Sequence, residues 1–99
     1  MMRVIMYDIS ENSKRSWISK SLEAEGFDRI QYSVFAGKMN TAKWRKYWKE
    51  IKAYFDKNCQ ADDRIFSIKV DRDNFRQMEV LGMELDKAWI MQEIKVWFA

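Results

Sequence analysis

The sequence predicts a two-layer α+β domain with the order β-α-β-β-α-β. Two patterns carry that expectation. Short β-rich runs at 3–8, 27–37 and 64–70 alternate with two longer segments whose apolar residues recur at helical spacing. Proline is absent and no linker or repeat is visible, so each break reads as a short turn within one domain of 99 residues.

The first run, "RVIMYD", is a strand in which Val4, Ile5 and Met6 are apolar and Asp8 stands at the exit. A buried, unpaired carboxylate is costly, so Asp8 is expected to be paired, at the lip of the sheet, or bound to a cation. Ser10 or Ser13 can cap a helix over about 12–25, with Trp17, Ile18 and Leu22 on one face and Gly26 to end it. The run "FDRIQYSVFAG" is either one long strand or two short ones around Tyr32 and Ser33.

Asn40 or Thr41 then opens a second helix over about 41–57, whose seam is Trp44, Trp48, Ile51 and Phe55. Residues 64–70 form a strand with Phe66, Ile68 and Val70 on one face. "DRDNFRQ" is a turn or short helix, and "MEVLG" adds a brief strand. The tail 90–98 alternates Ile90, Gln92, Ile94, Val96 and Phe98 with Met91, Glu93, Lys95 and Trp97, and reads as a further strand. The first six elements are the ferredoxin-like plan, an antiparallel sheet with both helices on one face. That plan leaves the other face of the sheet uncovered, so large apolar side chains there call for a partner.

Composition narrows the chemistry. The chain is 47% hydrophobic and 15% aromatic, which is globular rather than disordered. It has no His and one Cys, Cys59. That removes the commonest general base, any internal disulfide and any plausible zinc site. No Gly-rich phosphate loop, Ser–His–Asp set or RNA-recognition aromatic signature is present. No signal peptide or membrane span is visible, so a cytoplasmic protein without membrane contact is expected. If chemistry occurs, a carboxylate and a metal ion are the obvious means.

Two features invite a functional reading. Asp8, with Lys14 and Arg15 in the first turns of the following helix, is either a helix-end or ion-pair residue or an oxygen ligand for Mg²⁺. The second helix carries Lys43, Arg45, Lys46, Lys49 and Lys52, preceded by Lys38, in a chain of net charge +3. This row is either a solvated face or a surface that tracks phosphates.

The quoted order "VIMYDIS", "SKRSW", "GFDRIQYSVFAG", "DRIFSIKVD", "QMEVLG" resembles the CRISPR-associated small adaptation proteins, the Cas-two family, over about 2–82. The resemblance implies a ferredoxin-like fold and a homodimer formed through the sheets. Residues 83–99 would be a terminal strand segment packing on the partner. It also implies work with the CRISPR integrase, the dimer holding double-stranded DNA during spacer acquisition. Some members are metal-dependent nucleases of RNA or DNA, which would make Asp8 a ligand for Mg²⁺ or Mn²⁺. Tyr7, Arg15, Arg29, Ser33 and Phe35 match positions the family uses around that site. There Arg15 and Arg29 would bind phosphate, and Tyr7 and Phe35 would shape the cleft. The two-fold axis would bring both copies of Asp8 near each other. The chain departs from the pattern at Ser16 and Trp17, where many members carry another basic residue. A toxin-like nuclease acting without the integrase is the alternative.

Overall fold

The computed structural model describes residues 2–91. Its elements are β1 (Met2–Asp8), α1 (Asn12–Ala24), β2 (Asp28–Gln31), β3 (Val34–Lys38), α2 (Thr41–Asn58), β4 (Arg64–Val70), α3 (Arg72–Arg76) and α4 (Lys87–Ile90). The strands form one antiparallel sheet in the order β2-β3-β1-β4. β1 and β3 are central, as the ferredoxin-like plan requires. The β-rich run at 27–37 resolves into two strands around Tyr32 and Ser33, with a register irregularity between Arg29 and Gln31.

Local chemistry explains the boundaries. Gly26 has φ 89°, a left-handed conformation that few other residues adopt, and it follows the last turn of α1. The Asn40 side chain accepts a 2.8 Å hydrogen bond from the Lys43 N–H and so starts α2. α1 has no side-chain cap; Glu11 occupies the cap position instead of Ser10 or Ser13.

Both long helices cover the same face of the sheet. Ile5, Tyr7 and Phe35 of the strands pack there against Ile18 and Leu22 of α1 and Trp44, Tyr47 and Ile51 of α2. Trp17 departs from the expected seam. It is partly exposed and stacks on Tyr54 of α2, with ring centroids 3.6 Å apart, while Ser19 takes the buried position. Tyr47, absent from the expected seam, is buried and its hydroxyl meets that of Ser21 at 2.7 Å. Burial pushes the Tyr47 phenol pKa up to about 12.

The opposite face is only partly open, which corrects the expectation of an uncovered sheet. Phe75 of α3, with Ile90 and Met91, packs over Met2 and Ala36 and forms a second small core. Residues 78–82 form no strand. Their apolar side chains are not paired into the sheet; Val80 is partly exposed and Leu81 fully so. Ile90, expected to open a terminal strand, instead ends a short helix capped by Asp86, which accepts from the Trp89 N–H at 3.0 Å. So the described part of the expected segment 83–99 is irregular chain and helix, folded onto its own sheet. Residues 92–99, which hold the rest of that expected strand, lie outside the described residues. No helix among the described residues is long and apolar enough to cross a membrane.

Candidate functional site

β1 runs between β3 and β4, and successive side chains point to opposite faces. Tyr7 therefore turns under the helices, where it is 6% exposed, and Asp8 turns to the other face at the strand's exposed end. The Asp8 carboxylate makes no hydrogen bond or ion pair with a described residue. Its cross-strand partner is Arg64, the first residue of β4. The Arg64 guanidinium lies over the ring of Phe66, 5.8 Å from the centroid, rather than on Asp8. A water-exposed carboxylate at a sheet lip carries no burial penalty and is free to bind a cation.

Asp8 is held at the start of a tightly anchored loop. Arg15 in the second turn of α1 donates through Nη1 to the carbonyls of Ile9 and Ser10, at 2.8 and 2.9 Å, and through Nη2 to Asn12 Oδ1 at 3.1 Å. Asp63, in the turn before β4, accepts from the backbone N–H and hydroxyl of Ser10 and from the Gln60 N–H. The backbone donors of Gln60 and Ser10 hold its carboxyl below the usual carboxylate range. This clasp joins the exit of β1 to the entry of β4. Sequence reasoning missed Asp63; its place three residues after Gln60 in a turn was the available signal.

The other residues expected near Asp8 gather on the helix side of the sheet. Phe35 is fully buried in the main core, its ring 6.2 Å from that of Tyr7. Burial raises the Tyr7 phenol pKa, with Arg29 opposing the shift. Arg29, exposed on β2, lies over Phe35 at 5.1 Å and Tyr32 at 5.8 Å, and 3.6 Å from Glu23. The Ser33 carbonyl accepts from the Tyr7 N–H at 3.1 Å. Tyr7, Arg15 and Arg29 line one small cavity of about 110 Å³ together with Ser19 and Tyr32. The structure thus brings Tyr7, Arg29 and Phe35 together on the helix side, with Arg15 beside Tyr7 and Arg29 at the β1–α1 loop, and turns Asp8 to the other face of the sheet.

The cation row lies elsewhere again. Lys43, Arg45, Lys46, Lys49 and Lys52 are exposed on the outer side of α2. Lys43 pairs with Glu25 at 3.5 Å and Lys52 with Asp56 at 2.7 Å. Arg45, Lys46 and Lys49 form no ion pair with a described residue. Lys38 is exposed opposite Met2, at the far end of β1 from Asp8, and Lys14 is half-buried in α1. Of the aromatics between these cations, Trp44 is buried, with the buried Arg3 guanidinium 4.6 Å from its centroid. Trp44 is therefore packed rather than presented to bases. Arg3 was not expected inside; desolvation lowers its pKa.

The residues that fit a cation are few. No group of three or more His, Cys, Asp or Glu side chains that could hold a metal occurs among the described residues. A cage made wholly of protein ligands is thus not on offer from these residues. A hard cation that keeps most of its waters and takes one or two carboxylates fits Asp8.

The family model described as "CRISPR associated protein Cas2" matches residues 1–78. This chain belongs to the Cas2 family. It is 41% identical over 69 residues to "CRISPR-associated endoribonuclease Cas2 2" of Pyrobaculum aerophilum, covering 70% of this chain and 72% of that one. It is 35% identical over 68 residues to "CRISPR-associated endoribonuclease Cas2 1" of Francisella tularensis subsp. novicida, covering 69% and 66%. The Streptococcus pyogenes Cas2 crystal structure at pH 6.5 shares the fold, with TM-score 0.68, 22% identity, and 83% of this chain and 100% of that one covered. A hypothetical protein of Thermus thermophilus does so with TM-score 0.66 and 22% identity, over 83% and 90% of the two chains. The match to the family model ends before Gly82, where the sequence resemblance was expected to end.

The clasp sets a pH dependence. Because the folded Asp63 pKa is depressed, its stabilisation is present above the unfolded value of about 3.9 and is lost as pH falls through the folded value. Asp63→Ala is expected to melt lower than wild type at neutral pH. The gap should be full above about pH 5 and narrow steadily as pH falls through the acid range below it. Thermal melts of both proteins across that range check this; a gap that stays constant contradicts it.

Proposed function

We propose that this Cas2-family chain acts as a homodimeric DNA-binding scaffold for the CRISPR integrase during spacer acquisition, with a secondary Mg²⁺-dependent phosphodiester-hydrolase site at Asp8. The observation that carries the reading is the separation of surfaces. Arg45, Lys46 and Lys49, which pair with no described residue, lie on the outer helix layer. Asp8 shares the opposite sheet face with an apolar patch that α3 and α4 leave open. In that patch Phe66 is 47% and Ile68 53% exposed, with Met6 half-buried between the strands. Such a patch beside a small core favours burial against a second copy.

In a face-to-face dimer the two Asp8 carboxylates approach one another. Like charges in one cleft repel, which raises the proton affinity of one or recruits a cation. Asp8 and its copy would hold Mg²⁺, or Mn²⁺ in its place. Such a metal supplies an activated water and stabilises charge on the phosphate. The protein's own part is to fix the carboxylate through the Asp63 and Arg15 anchors. The names of the Pyrobaculum and Francisella relatives favour a second reading, in which the chain's main work is that of an endoribonuclease.

Replacing both Phe66 and Ile68 with Asp should convert a dimer into a monomer of 12.0 kDa by light scattering, because two charges would be forced into an apolar interface. A dimer that survives both changes places the interface elsewhere.

Reversing Arg45, Lys46 and Lys49 to Glu should weaken duplex binding at least about tenfold and flatten its salt dependence, since each lost phosphate contact lowers the salt slope by about one. Unchanged binding curves would reduce the row to a solvated face.

Asp8→Asn keeps the shape of the side chain and removes the charge that holds a hard cation. The variant should keep its melting temperature and duplex affinity and support spacer acquisition, while losing any Mg²⁺-dependent cleavage of RNA or DNA. Loss of acquisition would contradict the scaffold reading. Chelator-resistant cleavage that survives the substitution would contradict the hydrolase site.

A further inference from the structure

Among the described residues, the face that carries Asp8 has one cation beside it, and it is not one of the arginines that the family resemblance points to. Arg64 is the cross-strand partner of Asp8, so both side chains stand on the same face. Directly opposed residues have Cβ atoms about 5 Å apart, within reach of an arginine side chain. Arg64 is exposed, makes no ion pair with a described residue, and rests over Phe66. It can swing without breaking a hydrogen bond. Arg15 is fixed by three hydrogen bonds inside the β1–α1 loop, and Arg29 stands on the helix side of the sheet beside Glu23. Lys38 shares the face of Asp8 but lies opposite Met2, six residues away along β1, which is about 20 Å.

We infer that Arg64 is the phosphate-binding residue of the Asp8 site, clasping a phosphate group that is also bound to a divalent cation on Asp8. The inference rests on the metal reading of Asp8 given above. The chemistry follows from the two charges. A cation on Asp8 repels the guanidinium and keeps it over Phe66. A phosphate bridging the two relieves that repulsion and accepts the guanidinium's paired N–H donors. Arg64 should therefore oppose metal binding alone and favour binding of metal and phosphate together. A residue that merely held the sheet together would not produce opposite signs in those two measurements.

The test uses the intact protein, Mn²⁺ as the metal and adenosine 5′-monophosphate as the phosphate probe, followed by calorimetry. Arg64→Gln should tighten Mn²⁺ binding about three- to tenfold, as expected for removing a like charge near an exposed site. It should weaken nucleotide binding to the Mn²⁺-loaded protein by on the order of tenfold. Arg64→Lys should restore the metal effect and only part of the nucleotide effect, because it keeps the charge and loses the fork. Lys69→Gln removes one charge from the same strand on its other face, and should change neither. If Asp8→Asn abolishes Mn²⁺ binding but Arg64→Gln leaves nucleotide binding unchanged, the role of Arg64 is refuted and the metal site stands. If wild type and Asp8→Asn bind Mn²⁺ alike, or not at all, the metal reading fails and this inference fails with it.

Discussion

Strand β1 fixes which side chains meet. It is hydrogen-bonded on both sides, to β3 from Met2 to Met6 and to β4 from Met2 to Asp8. A slip of one residue would send Ile5 and Tyr7 to the outer face and Met6 and Asp8 under the helices. The main core would lose two strand residues that are almost fully buried, and a carboxylate would enter it unpaired. The register is thus enforced by the core, and the core thereby dictates that Asp8 faces out. The carboxylate is a by-product of packing only in its direction; its exposed, unpartnered state is what permits a ligand.

The two faces of the sheet are finished differently. α1 and α2 close one face with aromatic and aliphatic side chains. α3 and α4 close the other only at the end where Met2 meets Val70. What remains is a half-face bearing Asp8, Arg64, Phe66 and Ile68, and it combines charge with apolar area. Chemistry on this half-face and duplex binding on α2 would not compete for the same surface. That arrangement accommodates a scaffold whose hydrolase site is dispensable. It also shows why Arg15 and Arg29 need not touch a phosphate to matter. Arg15 secures the loop that follows Asp8, and Arg29 covers Phe35.

Much of this was legible in the sequence because it depends on period and punctuation. The helical seam Trp44, Ile51, the β-run with its turn at Tyr32 and Ser33, Gly26 and Asn40 all state their roles locally. That Asp8 ends an apolar strand is plain in the sequence, which leaves open whether it is paired, at the lip of the sheet or bound to a cation; the structure puts it at the lip. Features made by distant partners were not legible. Trp17 shares a helical face with Ile18 and Leu22 by its spacing, but its ring finds Tyr54 on another helix. The apolar residues from Met78 to Leu81 have strand composition, yet no neighbouring strand takes them up. Ile90 has the alternation of a strand, yet it is bound into a helical turn capped by Asp86. Asp63 and Arg64 open the run "DRIFSIKVD", which gives them no role of their own; their meaning comes only from lying beside Ser10 and Asp8.

The placement of Asp8 on the sheet face opposite Tyr7 and Arg29 is the central claim, and a metal ion locates it directly. Crystals of the wild-type protein soaked in Mn²⁺ and adenosine 5′-monophosphate, measured for anomalous scattering from manganese, should show the metal on the sheet face shared by Asp8 and Arg64. The phosphate should lie between the metal and the Arg64 guanidinium. A manganese peak in the cavity lined by Tyr7, Arg15 and Arg29, with none at Asp8, would contradict the account.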